Sequence, residues 1–259
     1  MISILEALNI CRSRAARIGA VAAIACLAGQ VASAQPADRF VTVNGLRIHY
    51  VEWGPSTSLG ARSTDRPPLV LVHDLHRLAR TFDHVAPHFA TRFRVIAYDM
   101  RGHGDSDWDP QARYVVEDHV TDLEGLVEQL GLRDITLWGN STGGRVAQVF
   151  AGKHPDLVAR VISEDVGPER PQQISDSYAR RVKQEEQGWA SEEELIATLM
   201  KSASAAEAVV RPYVRHGTKR RADGRIVWKR DPNLVKGFVV TDLWPYVRTI
   251  RAPILYVLT

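Results

Sequence analysis

Six consecutive residues, Gly139-Asn140-Ser141-Thr142-Gly143-Gly144, carry the most specific chemical signal in the chain. The apolar run Ile135-Thr136-Leu137-Trp138 precedes them, and a helix-compatible stretch from Arg145 to Lys153 follows. Strand, Gly-x-Ser-x-Gly and helix in that order form the setting of a nucleophile elbow. The chain reverses so sharply there that the serine takes a strained conformation, and the residues two positions away on either side must lack side chains. The turn lifts the hydroxyl clear of the backbone at a helix N-terminus, whose amides and dipole favour negative charge. The chemistry this prepares is attack by Ser141 on a carbonyl carbon.

A serine hydroxyl stays protonated at neutral pH unless a general base removes its proton, so the nine histidines are the next residues to weigh. His154, just before Pro155, reads as a surface residue, and His216 lies in a polar late segment where a base is possible but unusual. Metal chemistry has little support. His73 and His76 (i, i+3) and His84 and His88 (i, i+4) have ligand-like spacing, but Pro87 interrupts the second pair and neither carries an accompanying acidic signature, so no metal is expected. Cysteine chemistry is also excluded from the body of the chain, because Cys11 and Cys26 both fall in the first 34 residues.

The elements that must position Ser141 can be read from periodicity. From Phe40 to Val51 the sequence alternates around Asn44-Gly45, a dipeptide suited to a two-residue hairpin turn, which predicts two antiparallel strands. Pro55 to Pro68 is a loop by composition. Further strands are predicted at Leu69–His73, Arg94–Tyr98, Ile135–Trp138, Val158–Ser163 and Pro253–Leu258, alternating with helical stretches as in a parallel sheet covered on both faces. Val116, Val120, Leu123, Val127 and Leu130 place one apolar stripe on a helix that Gly131 ends. The expected organisation is a leader at 1–34, a core at 35–167, a mostly helical cap at 168–248 and a last core strand at 249–259. Within the cap, Glu192 to Glu194 and Lys219-Arg220-Arg221 are expected on solvated helix faces.

Three motifs in order, Leu69-Val70-Leu71-Val72-His73, Tyr98-Asp99-Met100-Arg101-Gly102-His103-Gly104-Asp105-Ser106 and the elbow at Ser141, give the chain from about Phe40 to Pro171 its resemblance to the α/β-hydrolase superfamily, of the capped esterase, lactonase and perhydrolase-like kind. The resemblance implies an α/β fold and hydrolysis of a carboxylic ester or related acyl compound through an acyl-Ser141 intermediate, without cofactor. A serine nucleophile, rather than an aspartate, argues against the dehalogenases and epoxide hydrolases of the superfamily. The oxyanion donors it implies are the N–H groups of Leu75 and Thr142.

Three departures bear on that expectation. Asp74 stands where the family has glycine and, if it points inward, sets a negative charge against the developing oxyanion. Asn140 replaces a histidine that supports the elbow. The family order is Ser, acid, His, whereas here the strand at Pro253–Leu258 is followed only by Thr259; the expectation is therefore a chain lacking the last strand, helix and catalytic histidine, with impaired activity. His73 and His103 support structure in the relatives. Asp165, after the strand at Val158–Ser163, is the candidate acid, its alternative role being to organise the start of the cap. The alternative function is a non-catalytic hydrolase-like protein that binds small apolar molecules under the cap, where Trp189, Trp228 and Trp244 are candidate lining residues.

The first 34 residues carry Arg12, Arg14 and Arg17, an apolar run of eleven residues from Ile18 to Ala28, and Ala32-Ser33-Ala34. That is the order of a secretory signal peptide cleaved after Ala34, predicting a periplasmic or secreted product. The run is shorter than the roughly 20 residues of a spanning helix, so no lasting membrane anchor is expected. Without this segment 30 basic residues face 29 acidic ones, a balance that gives nucleic acid no electrostatic footprint. The expected partner is a small ester or acyl substrate.

Overall fold

The computed structural model describes residues 36–54, 66–170, 172–201 and 205–258. The leader expected at 1–34 and most of the loop expected at 55–68 lie outside the described residues.

β1 (Ala37–Val43) and β2 (Leu46–Trp53) form the expected hairpin, with positive φ at Asn44 (51°) and Gly45 (78°). There follow β3 (Pro68–Val72), a short helix α1 (Ala86–Phe89), β4 (Arg94–Tyr98), α2 (Val116–Gln129), β5 (Ile135–Asn140), α3 (Thr142–Lys153) and β6 (Val158–Glu164). The stripe from Val116 to Val127 is buried on α2, and Gly131 follows its end at φ 62°.

Among the described residues between 165 and 253, the chain adds no strand to the main sheet. It forms β7 (Glu169–Arg170), α4 (Gln172–Glu185), α5 (Glu192–Met200), α6 (Glu207–Gly217), β8 (Thr218–Arg220), β9 (Ile226–Trp228), β10 (Thr241–Asp242) and α7 (Trp244–Val247), before β11 (Ile254–Val257) returns to the sheet. Sheet order is β1-β2-β4-β3-β5-β6-β11, antiparallel between β1, β2 and β4 and parallel from β4 to β11. Two apolar layers cover it. Val70, Val72, Ile96 and Tyr98 point toward α2 and α3, while Leu69, Leu71, Val95 and Ala97 pack with Phe82 and Ala86 on the opposite face. This alternation of side chains along each strand is what buries both faces.

The segment from 168 to 248 is less uniformly helical than its polar pattern predicts. Glu192 to Glu194 do occupy the first turn of α5, where Ser191 caps the Glu194 N–H at 3.1 Å and the acidic side chains complement the helix dipole. Lys219 and Arg220, by contrast, lie on β8, and Arg221 begins the turn to β9 that Gly224 closes at φ 85°. Those charges are exposed on a hairpin, because turn chemistry at Asp223-Gly224 overrides the helical spacing.

Candidate active site

Ser141 sits between β5 and α3 with φ 51° and ψ −114°. That is a strained conformation for a residue with a Cβ, of a kind costing roughly 1–3 kcal/mol and sustained only where the surroundings fix it. What fixes it is visible on both sides. The Ser141 N–H donates to the Glu164 carbonyl at 2.8 Å, and the Arg145 N–H donates to the Ser141 carbonyl at 3.2 Å. A Cβ on Gly139 would stand 2.2 Å from the Gly143 carbonyl oxygen, so the first glycine of the motif is required by the backbone of the second.

Thr142 opens α3, where N–H groups have no acceptor within the helix. Neither its N–H nor that of Leu75 donates a hydrogen bond among the described residues. Both residues are buried, at 4% and 3% exposure. The loop from 73 to 75 is held by histidines rather than by regular pairing. His73 accepts from the Met100 N–H through Nε2 at 2.9 Å, so its Nδ1–H donates to the Asp74 carbonyl at 2.7 Å. His103 Nε2 lies 2.6 Å from the Leu75 carbonyl, and its Nδ1 lies 3.0 Å from that of Arg101. Burial, then the charge of His103, lowers the His73 pKa to about 3, and burial also lowers that of His103. The two rings act as struts between these backbone segments.

Asp99 anchors the same loops from behind. Its carboxylate accepts from the Ala79 N–H at 2.6 Å, the Asp105 N–H at 2.9 Å and His49 Nδ1 at 2.7 Å. His49, Asp99 and Asp105 place possible ligand atoms within 4.8 Å of one another. The His49 and Asp99 atoms are already committed to this ion pair and to backbone donors. Of the sequence-level metal pairs, both His73 nitrogens are used as described, His76 Nδ1 accepts from Arg230 at 2.6 Å, and His84 and His88 are exposed.

The sequence matches the family described as alpha/beta hydrolase fold over residues 67–225. The chain belongs to the α/β-hydrolase family. It is similar to the 2-(acetamidomethylene)succinate hydrolase of Mesorhizobium japonicum, with 33% identity over 126 residues, covering 48% of this chain and 45% of that protein. It is also similar to the sn-1-specific diacylglycerol lipase of Mus musculus, with 38% identity over 104 residues, covering 39% and 33% of the two chains. These matches span less than half of the relatives' length. Among solved structures, an E-2-(acetamidomethylene)succinate hydrolase superposes with a TM-score of 0.74 at 24% identity, covering 85% of this chain and 80% of that one. An α/β hydrolase from Novosphingobium aromaticivorans superposes with a TM-score of 0.71 at 26% identity, covering 86% and 81%.

The other expected site residues of this α/β hydrolase are placed differently from Ser141. Asp165 follows β6 at φ 52°, exposed, its N–H donating to the Val257 carbonyl at 2.7 Å; its carboxylate has no hydrogen bond or ion pair among the described residues. No histidine among the described residues is hydrogen-bonded to the Ser141 hydroxyl. Of the three tryptophans, Trp228 lines a cavity of about 750 Å³ with Asp74, His76 and Tyr213, Trp189 packs against Trp228, and Trp244 is exposed with its Nε1–H on Glu169.

Sequence reasoning passed over two residues. Arg145, four positions after Ser141 on a helix whose residues from Thr142 to Ala151 are all buried, is only 7% exposed, and Arg170 is 2% exposed. Burial, then the neighbouring Arg170 charge, pulls the Arg145 pKa down to about 10, while Tyr178 and Asp74 oppose the shift. Burial also lowers that of Arg170, again opposed by Tyr178 and Asp74. The Asp74 charge acts on both of these buried guanidinium groups, although no hydrogen bond joins it to either among the described residues. A lone arginine one turn beyond the nucleophile was the readable signal.

Proposed function

We propose that this α/β hydrolase cleaves a carboxylic ester or related acyl compound through an acyl-Ser141 intermediate, with the Leu75 and Thr142 N–H groups receiving the oxyanion. The observation that carries the reading is the positive φ of Ser141 at the N-cap of α3, with the Thr142 and Leu75 N–H groups both without an acceptor among the described residues. Attack by the hydroxyl oxygen forms the tetrahedral species, the hydroxyl proton passes to the departing alkoxide as its bond to the acyl carbon breaks and the alcohol leaves, and water then adds to the acyl-serine, one proton returning to Ser141 as the acid is released. In this reading Asp165, at the end of the strand beside β5, is the carboxylate available to orient an imidazole. The reading is supported by the similarity to a diacylglycerol lipase, while the soluble epoxide hydrolase of Corynebacterium sp., also similar at 36% identity, is set apart from it by the serine at the elbow.

A second reading is favoured by one observation: the Ser141 hydroxyl has no hydrogen-bonded imidazole. On that reading the protein binds acyl compounds without turning them over. The deciding experiment treats the full chain and its Ser141→Ala variant with a fluorophosphonate probe and a p-nitrophenyl ester. Labelling and turnover that vanish in Ser141→Ala support the hydrolase; turnover that survives the substitution defeats it, and the absence of both supports the binder. We further propose that residues 1–34 direct export, which N-terminal sequencing of secreted protein beginning at Met1 would refute.

A further inference from the structure

We propose that Arg145 and Arg170 form a carboxylate-binding subsite beside Ser141, so that the ligands of this protein are short acyl compounds bearing a free carboxylate. The proposal deepens the acyl-hydrolase reading and rests on it for the acyl part alone.

Each guanidinium is buried and each makes a single hydrogen bond, Arg145 Nη2 to the Glu169 carbonyl at 2.7 Å and Arg170 Nη2 to the Gly237 carbonyl at 3.2 Å. The Nε of each is buried with no acceptor among the described residues, as is Oδ1 of Asp74. A guanidinium carries five N–H donors, so most of this capacity is unspent. Neither arginine forms an ion pair among the described residues, although the Asp74 charge acts on both. Two buried positive charges therefore face one negative charge.

The same protein shows what a purely structural buried arginine looks like. Arg101 engages Asp122 through Nε at 2.5 Å and Nη2 at 2.6 Å, and Asp109 through Nη1 at 3.0 Å. Buried cations in folded proteins are paired in that way, because an unpaired one is strongly disfavoured. Arg145 and Arg170 lack such a partner, and one monoanion would balance the cluster. The planar donor fork suits a carboxylate bidentately.

Location sets the size of the ligand. Arg145 begins one turn after Ser141, with its N–H on the Ser141 carbonyl at 3.2 Å, and its guanidinium reaches the Glu169 carbonyl, five residues beyond the Glu164 carbonyl that accepts from the Ser141 N–H. A carboxylate held there lies only a few bonds from a carbonyl at the Ser141 hydroxyl. Asp74 also borders a cavity of about 750 Å³, whose walls carry Arg77, Arg80, Arg181 and Arg230 against Asp83 and Glu185.

The test uses the full chain carrying Ser141→Ala, so that binding is read without turnover. Glutarate, dimethyl glutarate and inorganic phosphate are titrated calorimetrically, and circular dichroism reports folding. Glutarate is expected to bind at least about tenfold more tightly than its dimethyl ester, and Arg145→Gln or Arg170→Gln to remove about tenfold or more of that affinity. Asp74→Asn, which removes the competing charge, is expected to tighten glutarate binding several-fold. Equal binding of glutarate and its ester, absence of glutarate binding, or phosphate bound in place of glutarate would overturn the proposal. Should the arginine variants fail to fold, an Asp74→Asn variant with unchanged affinity overturns it. Arginine-dependent glutarate binding without any fluorophosphonate labelling of the unsubstituted chain removes the hydrolase reading and leaves the subsite standing. Ester turnover with no preference for a carboxylate removes the subsite alone.

Discussion

Gly143 lies against the end of β3 so closely that a Cβ on it would stand 2.1 Å from the Val72 carbonyl oxygen and 2.7 Å from that of His73. The start of α3 and the loop carrying Leu75 are therefore set by backbone on backbone, which has no flexible side chain to yield. Gly143→Ala is expected to destabilise the protein by about 1–3 kcal/mol, as overpacking does, and to separate the two proposed oxyanion donors. A lower urea midpoint with slower fluorophosphonate labelling at Ser141 checks this. An unchanged midpoint would show that the two segments can part at little cost.

Arg101 joins three segments that bracket the elbow from below. Its partners are Asp122 on α2 and Asp109 in the loop between β4 and α2, and Asp122 in turn accepts from Asn44 in the β1–β2 turn at 3.0 Å. Arg101→Met leaves the buried Asp122 without its cation and Asp109 with only the half-exposed Arg113, a loss of about 3–5 kcal/mol. Replacing Asp109, Asp122 and Arg101 together by apolar residues should cost less than the single change. Denaturant titration of the variants gives both numbers, and a single variant within about 1 kcal/mol of the parent would contradict the pairing.

The His49–Asp99 pair makes stability depend on pH at both ends. Burial lowers the His49 pKa, but the hydrogen bonds and charges of Asp99 and Asp38 outweigh it and leave a net rise above 6.5. Burial raises that of Asp99, and His49 with the Ala79 N–H more than reverses it, leaving a net fall below 3.8. The His49 contribution is complete below 6.5 and is lost as pH rises through the raised value. The Asp99 contribution is complete above 3.8 and is lost as pH falls through the depressed one. Urea midpoints measured from about pH 4 to pH 9 should fall at the alkaline end, and His49→Gln should flatten that limb. An alkaline decline that survives His49→Gln would assign it to another group.

The sheet and the nucleophile were legible because each has a local cause. Asn44-Gly45 forces a hairpin wherever it falls between alternating strands, and Gly139 and Gly143 are demanded by an elbow only a few residues long. Strand ends were read to within one or two residues at β3, β5, β6 and β11. What stayed hidden depends on contacts between distant segments. Lys219-Arg220 looked helical until Asp223-Gly224 closed a hairpin with β9, and the importance of Arg145 appears only when Arg170, from beyond β6, is brought beside it. Asp74 illustrates the same limit: its sign was readable, and the two cations it faces were not.

That relation also yields a stability prediction independent of any ligand. Asp74 is the carboxylate whose charge acts on both buried arginines, yet it forms no hydrogen bond to either through its side chain. Asp74→Asn should therefore destabilise the unliganded protein at neutral pH by about 1–2 kcal/mol, less than the loss of a tightly bonded buried pair. Arg145→Met relieves the repulsion between the two cations, so the double variant Asp74→Asn with Arg145→Met should recover part of the loss. A double-mutant cycle by urea denaturation isolates the coupling, expected at about 1 kcal/mol and weakly sensitive to salt because both groups are sheltered from solvent. A coupling near zero would mean that the Asp74 carboxylate does not offset the Arg145 charge, and the like-charge penalty on an oxyanion near Leu75 would then stand as the sequence first implied.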